Sequence, residues 1–147
     1  MPVGRSLHGV RVLVADPDDA GRAAVRATLE QAGAVYSEAK DLPRALADLR
    51  RERPDACLIE PGLAAGAVAA ILEAAPGLPV IVLSVCPTDA DLLAAVAAGA
   101  SGHLRKDLGA HALAAAIGDV VAGRRAFPRR VETLLAAGLR ATPKAAT

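Results

Sequence analysis

The run LPVIVLSV, residues 78–85, decides how the rest of the chain is read. It is rich in Val and Ile and sits between the turn-forming stretches PGLP and CPTD. A continuous apolar run without polar alternation is the mark of a strand covered on both faces, as in a parallel sheet. Working outward, VRVLVAD (10–16), DACLIE (55–60) and SGHLRK (101–106) read as three more strands. AVYSEA (34–39) is polar enough to lie near an edge. Between them the spacing turns helical, over 18–33, 41–53, 66–75, 88–100 and 109–123. Asp18 or Asp19, Asp41, and Thr88 or Asp89 are placed as N-caps, Pro43 falls in a first turn, and Gly33 and Gly99 are placed as stops. In the first helix Val25 and Leu29 share the expected core face, with Arg22 and Arg26 on another. Five strands alternating with five helices through short connections predict an α/β fold, a doubly wound parallel sheet with helices on both faces.

A chain of 147 residues predicts one main domain. The boundaries read as an N-terminal tail over 1–8, a domain over 9–126, and a C-terminal linker helix and tail over 127–147. With 53% hydrophobic but only 1% aromatic residues, the core has to be built from Ala, Val, Leu and Ile. A net charge of +1 argues against a nucleic-acid-binding face. The cluster RRAFPRR (124–130) reads as a solvated linker. Cys57 and Cys86 both lie in apolar surroundings and are expected to be small buried hydrophobes. No run approaches the roughly 18 apolar residues needed to span a membrane, and the N-terminus lacks the apolar core of a signal peptide. The expectation is a soluble cytoplasmic protein.

Open α/β sheets place their sites beyond the carboxyl ends of the strands. Asp16, Glu60, Ser84 and Lys106 stand at four of those ends. Two neighbouring carboxylates repel unless a cation intervenes. Lys106 is the cation at hand, so Glu60 is expected to face it; a divalent metal is the alternative. The plainer readings are that Asp16 caps a loop, Ser84 is an ordinary strand-end hydroxyl, and Glu60 and Lys106 form a structural ion pair. Ser84, His103 and Asp16 could be drawn as a hydrolase triad, but no G-x-S-x-G elbow is present, and His103 is expected to point away from Ser84. His8 and His111 have no metal-ligand spacing.

With these residues in place, the chain resembles the receiver domain of two-component response regulators over about residues 9–123. VRVLVAD with Asp16, RPDACLIE with Glu60, PVIVLS with Ser84 and AAGASGHLRKD with Lys106 carry the resemblance. AGASGHLRKD followed by AIGDVVAGRRAFP is similar to the NarL-type branch. The resemblance implies a flavodoxin-like (βα)5 sheet of strand order 2-1-3-4-5, and a signalling role rather than catalysis. It aligns Glu60 with the phosphoacceptor aspartate, Asp16 with the first of two Mg²⁺-binding acids, Ser84 and Lys106 with the residues that contact the phosphoryl group, and Ser84 and His103 with the switch pair.

The departures are chemical. Pro17 stands where the second acid is expected, Glu60 adds one methylene, and EPGLAAG is short and lacks Met-Pro-Gly. Mg²⁺ demands near-octahedral oxygens; Asp16, Glu60 and the Gly62 carbonyl offer three. The expectation is a pseudo-receiver with no cofactor or only weak Mg²⁺, signalling without phosphorylation, with Glu60 reaching Lys106 and Ser84 as a partial mimic or pairing with Lys106 structurally. The alternatives are a module that responds to a small molecule and a purely structural interaction module. NarL-like regulators carry a helix-turn-helix after the receiver, and the residues after 140 leave no room for one. The chain reads either as a stand-alone receiver or as part of a longer regulator. Its expected partners are proteins: a second copy in a homodimer, a histidine kinase or another regulator.

Overall fold

The computed structural model describes residues 6–141. Five strands, β1 (Arg11–Ala15), β2 (Val35–Ala39), β3 (Ala56–Ile59), β4 (Val80–Ser84) and β5 (Gly102–Arg105), form one parallel sheet of order β2-β1-β3-β4-β5. Six helices accompany them: α1 (Asp19–Gln31), α2 (Leu42–Glu52), α3 (Ala67–Ala74), α4 (Asp89–Ala98), α5 (Ala110–Val121) and α6 (Arg130–Ala141). The doubly wound flavodoxin-like arrangement is the one expected, with the polar β2 at an edge.

The helices start where the sequence places caps. The Asp18 carboxylate accepts the Gly21 N–H, and the Asp41 carboxylate accepts the Arg44 N–H. Thr88 and Asp91 exchange side-chain and backbone bonds in a capping box that opens α4. Gly99 ends α4 at φ 95°, a conformation that costs other residues strain.

Strand residues alternate between two apolar layers. Val12, Val14, Leu58, Ile81 and Leu83 pack under α1 and α5 with Leu29 and Ile117. Leu13, Ala15, Cys57, Ile59 and Val82 pack under α2, α3 and α4 with Leu49, Ile71 and Ala95. The sheet is covered on both sides by aliphatic residues, as an aromatic-poor composition requires.

Four expectations are corrected. Cys57 is buried, but Cys86 is exposed in the loop after β4. Arg22 is 7% exposed and turned toward the end of β1. Residue Leu7, in the expected tail, is buried and bonded to Ala32; residues 1–5 lie outside the described residues. The segment 124–130 is a strap and not a free linker. The Ala126 carbonyl accepts from His103 N–H, and Ala126 N–H donates to Ser101. A Cβ on Gly102 would come within 2.7 Å of the Ala126 oxygen, so the strap lies where only glycine allows it. Beyond the strap α6 packs on α4, with Arg130 3.3 Å from Asp89 and Val131 buried. Apart from Ala141, the polar tail expected over 141–147 is outside the described residues. No helix among the described residues is long and apolar enough to cross a membrane.

Candidate functional site

The carboxyl ends of β1, β3, β4 and β5 gather Asp16, Glu60, Ser84 and Lys106 at one edge of the sheet. The pairing among them differs from the expectation. Lys106 Nζ lies 3.0 Å from Asp16 Oδ2, and Glu60 forms no ion pair with it among the described residues. Asp16 is 4% exposed, so its charge requires a partner. Its other oxygen, Oδ1, accepts the Asp18 N–H at 2.8 Å. The Arg22 guanidinium donates to the Asp16 carbonyl at 2.6 Å and also binds Asp19, while Glu38 lies 3.4 Å away. Burial works against the charged Arg22, but the hydrogen bond to Asp19 and the nearby carboxylates prevail and hold its pKa above the ordinary value.

Glu60 turns back on its own loop. Its Oε2 accepts the Gly62 N–H at 2.7 Å and so caps the 3-10 turn Pro61–Leu63. The carboxylate folds onto the backbone two residues ahead, as the shorter Asp16 does onto Asp18. The expected contact with Lys106, as mimic or as structural pair, is therefore not made.

Ser84 and His103 form the second corrected pair. Ser84 Oγ lies 3.5 Å from His103 Nε2, although the two were expected to point apart. The register explains it. Val82 is level with His103 across β4 and β5, so both face α3 and α4, and Ser84 shares that face two residues on. His103 is 1% exposed, and its Nδ1 has no hydrogen-bond partner among the described residues. No triad results, because Asp16 is bound to Lys106 and not to the imidazole. Burial lowers the His103 pKa below that of a free imidazole, and the Asp91 charge offsets part of the effect.

The oxygens expected as Mg²⁺ ligands are in part engaged within the chain. Both Asp16 oxygens are engaged, Pro17 brings no ligand, and the Glu60 carboxylate is committed to Gly62. Among the described residues no group of three His, Cys, Asp or Glu side chains is placed to hold a metal ion.

Comparison with known proteins settles the family. The response regulator receiver domain matches residues 12–118. The chain belongs to the response regulator receiver family. It is 34% identical over 110 residues to the DNA-binding transcriptional activator DevR/DosR of Mycobacterium tuberculosis, covering 72% of this chain and 51% of that protein. A two-component response regulator of the LuxR family from Aurantimonas sp. SI85-9A1 superposes with a TM-score of 0.78 at 25% identity, covering 88% of this chain and 97% of that one. The signal receiver domain of NarL from Mycobacterium tuberculosis gives 0.71 at 29% identity, over 80% and 99%. The neighbours are thus of the NarL and LuxR type. This receiver spans about half the length of the curated relatives it matches.

Two residues of the receiver site escaped the sequence reading. A Cβ on Gly21 would fall 2.8 Å from Asp16 Oδ2 and 3.5 Å from Lys106 Nζ, so α1 approaches the ion pair closely only because residue 21 is glycine. Gly21 was visible only as a weak residue inside a helix. Arg22 was placed on a different face from the core, and its burial follows from the carbonyl and carboxylates it meets there.

Removing the lysine leaves the Asp16 carboxylate buried and unpaired. Lys106→Met is expected to cost about 3 kcal/mol in urea unfolding. Adding Asp16→Asn removes the uncompensated charge and is expected to recover at least half of that loss. Protonation gives a second measurable outcome. A histidine held neutral in the fold takes up its proton more readily when unfolded. Its contribution is therefore complete above about pH 6.5 and is lost as pH falls through that value toward the lower folded one. Urea midpoints at neutral and mildly acidic pH should fall further in the native chain than in His103→Phe, and the His103 ring should titrate below pH ~6.5 by NMR.

Proposed function

We propose that this receiver signals without phosphorylation of Glu60 and without Mg²⁺, acting through protein contact to regulate transcription or another output. The observation that carries the reading is the closed bonding of the two acids. Asp16 is committed to Lys106 and to the Asp18 backbone, and Glu60 is committed to Gly62. An acceptor carboxylate has to lie in line with a phosphoryl donor, and about 1 Å of misplacement costs a hundredfold in rate. The burial of His103 against Ser84 supports the same view: the pair aligned with the switch meets directly across β4 and β5.

Partners follow from the surfaces. Helix α6 lies on α4, which leaves α5, beside α1, as the Ala-rich helical face for contact. A second copy is the proposed partner there, with a histidine kinase or another regulator as the heteromeric alternatives. A module responsive to a small molecule, the other reading, draws on a separate feature, the cleft between α3 and α4.

Incubation with acetyl phosphate and Mg²⁺ should leave the intact mass unchanged, while Pro17→Asp with Glu60→Asp should gain one phosphate. A stable adduct on native Glu60 would sink the reading. Light scattering at high micromolar concentration should report a dimer; a monomer there counts against the homodimer.

A further inference from the structure

We propose that the cavity at the amino ends of β3 and β4 is a docking site for an extended acidic segment of a partner protein, held by Arg50 and Arg53. The cavity has a volume of about 580 Å³, inside the range of ligand sites, about 300–1,000 Å³. It opens where α2 and α3 both end, between the turns over 53–55 and 76–79. Asp16 and Glu60 stand at the opposite edge of the parallel sheet, so this site is separate from theirs. The acetyl phosphate result does not bear on it.

The first observation is a pair of uncommitted charges. Arg51 is bound within its own helix, to Asp48 and Glu52. Arg50 and Arg53 line the cavity, are exposed, and have no side-chain hydrogen bond or ion pair among the described residues. The second observation is the backbone at Arg53. It is the only residue other than glycine at positive φ among the described residues, at 47°. Its N–H caps α2 on the Leu49 carbonyl, a position that glycine fills without strain. A basic side chain also complements the carboxyl end of a helix, but Arg50 and Arg51 in the last turn already supply that charge. A strained arginine whose guanidinium meets nothing inside the fold points to a use outside it.

The surrounding chemistry selects the occupant. Two guanidinium groups suit carboxylates, which they bind in a forked geometry. The last carbonyls of a helix lack N–H partners within it and carry partial negative charge, and two helices end here. The Glu52 carbonyl takes the Arg11 side chain. Asp55 also lines the cavity, with one oxygen accepting the Arg11 N–H at 2.9 Å. These groups oppose a compact dianion such as phosphate. An acidic peptide satisfies both sets, with its carboxylates on the arginines and its backbone N–H groups on the carbonyls and Asp55. Pro54, Pro76, Leu78 and Pro79 give its side-chain stems an apolar wall.

The test is a titration of the ¹⁵N-labelled full chain at low salt, followed by amide shifts. The probes are acetylated, amidated tetraglutamate, its tetraglutamine counterpart, and inorganic phosphate. Tetraglutamate should saturate, move the amides of Arg53, Gly77 and Leu78, and bind about tenfold more tightly than either control. Arg53→Gly relieves the strain, so it should keep or raise the urea midpoint while weakening tetraglutamate about fivefold. Arg53→Asn, which also tolerates positive φ, serves if that variant fails to fold. Arg50→Gln should weaken the peptide likewise. Arg129→Gln, exposed and outside the cavity, should leave it unchanged. The proposal is overturned if tetraglutamate leaves those amides in place, or if tetraglutamine or phosphate binds as tightly. It is equally overturned if Arg53→Gly folds and binds the peptide as the native chain does, or if Arg129→Gln weakens binding as much as Arg53→Gly.

Discussion

The Asp16–Lys106 ion pair is the constraint around which the strand ends are arranged. The two residues are 90 positions apart and meet at 3.0 Å because parallel strands bring their carboxyl ends to one side of the sheet. A carboxylate as buried as Asp16 has to be matched by a positive charge and by donors. Lys106 supplies the charge, the Asp18 N–H supplies a donor, and the missing side chain of Gly21 lets α1 close over both. Once Lys106 is committed there, Glu60 has to find another partner. It finds the Gly62 N–H, inside its own loop.

That competition leaves Glu60 bonded within its own loop. A carboxylate bonds readily to the N–H two residues ahead, and Asp16 and Glu60 both do so, to Asp18 and to Gly62. The 3-10 turn Pro61–Leu63 is capped by the group that the resemblance aligns with the phosphoacceptor. The loop and the acid therefore stabilise each other without involving the neighbouring strand ends. Pro17 acts in the same direction, since the position beside Asp16 adds no charge that would draw a metal ion.

The legible parts of this fold were the local ones. Apolar runs gave the strands, capping residues gave the helix starts at Asp18, Asp41 and Thr88, and Gly99 gave a stop. Each depends on interactions within a few residues. The four members of the site were also legible, because a strand end is a local feature. Their partners were not. Which of two acids Lys106 meets depends on side-chain reach and on how closely α1 approaches, and neither leaves a pattern in the sequence. The direction of His103 was misread for a related reason. A helical crossover does not fix the register of two parallel strands as a tight hairpin does, so the pairing of Val82 with His103 had to be seen. The strap at Ala126 was hidden by composition. A basic stretch reads as solvated, yet two backbone bonds tie it to β5.

Those bonds tie the switch position to the far end of the chain. His103 touches Ser84 through its ring and Ala126 through its backbone N–H. Ala126 leads through Phe127, which packs against the α3 and α4 layer, to α6, whose Arg130 binds Asp89 at the start of α4 and the Pro87 carbonyl just before it. α4 in turn carries Asp91, whose charge acts on the His103 ring, and Ala95, which packs beside it in the cleft. The contacts form a closed loop from β5 through the strap and α6 to α4 and back. In a sheet with a large aromatic at residue 103, ring packing would dominate that loop. Here the ring is a buried imidazole whose Nδ1 has no hydrogen-bond partner among the described residues. The loop is held by backbone hydrogen bonds and surface charges, and His103 borders unfilled space on two sides, between α3 and α4 and beside Cys86, Pro128 and Arg130.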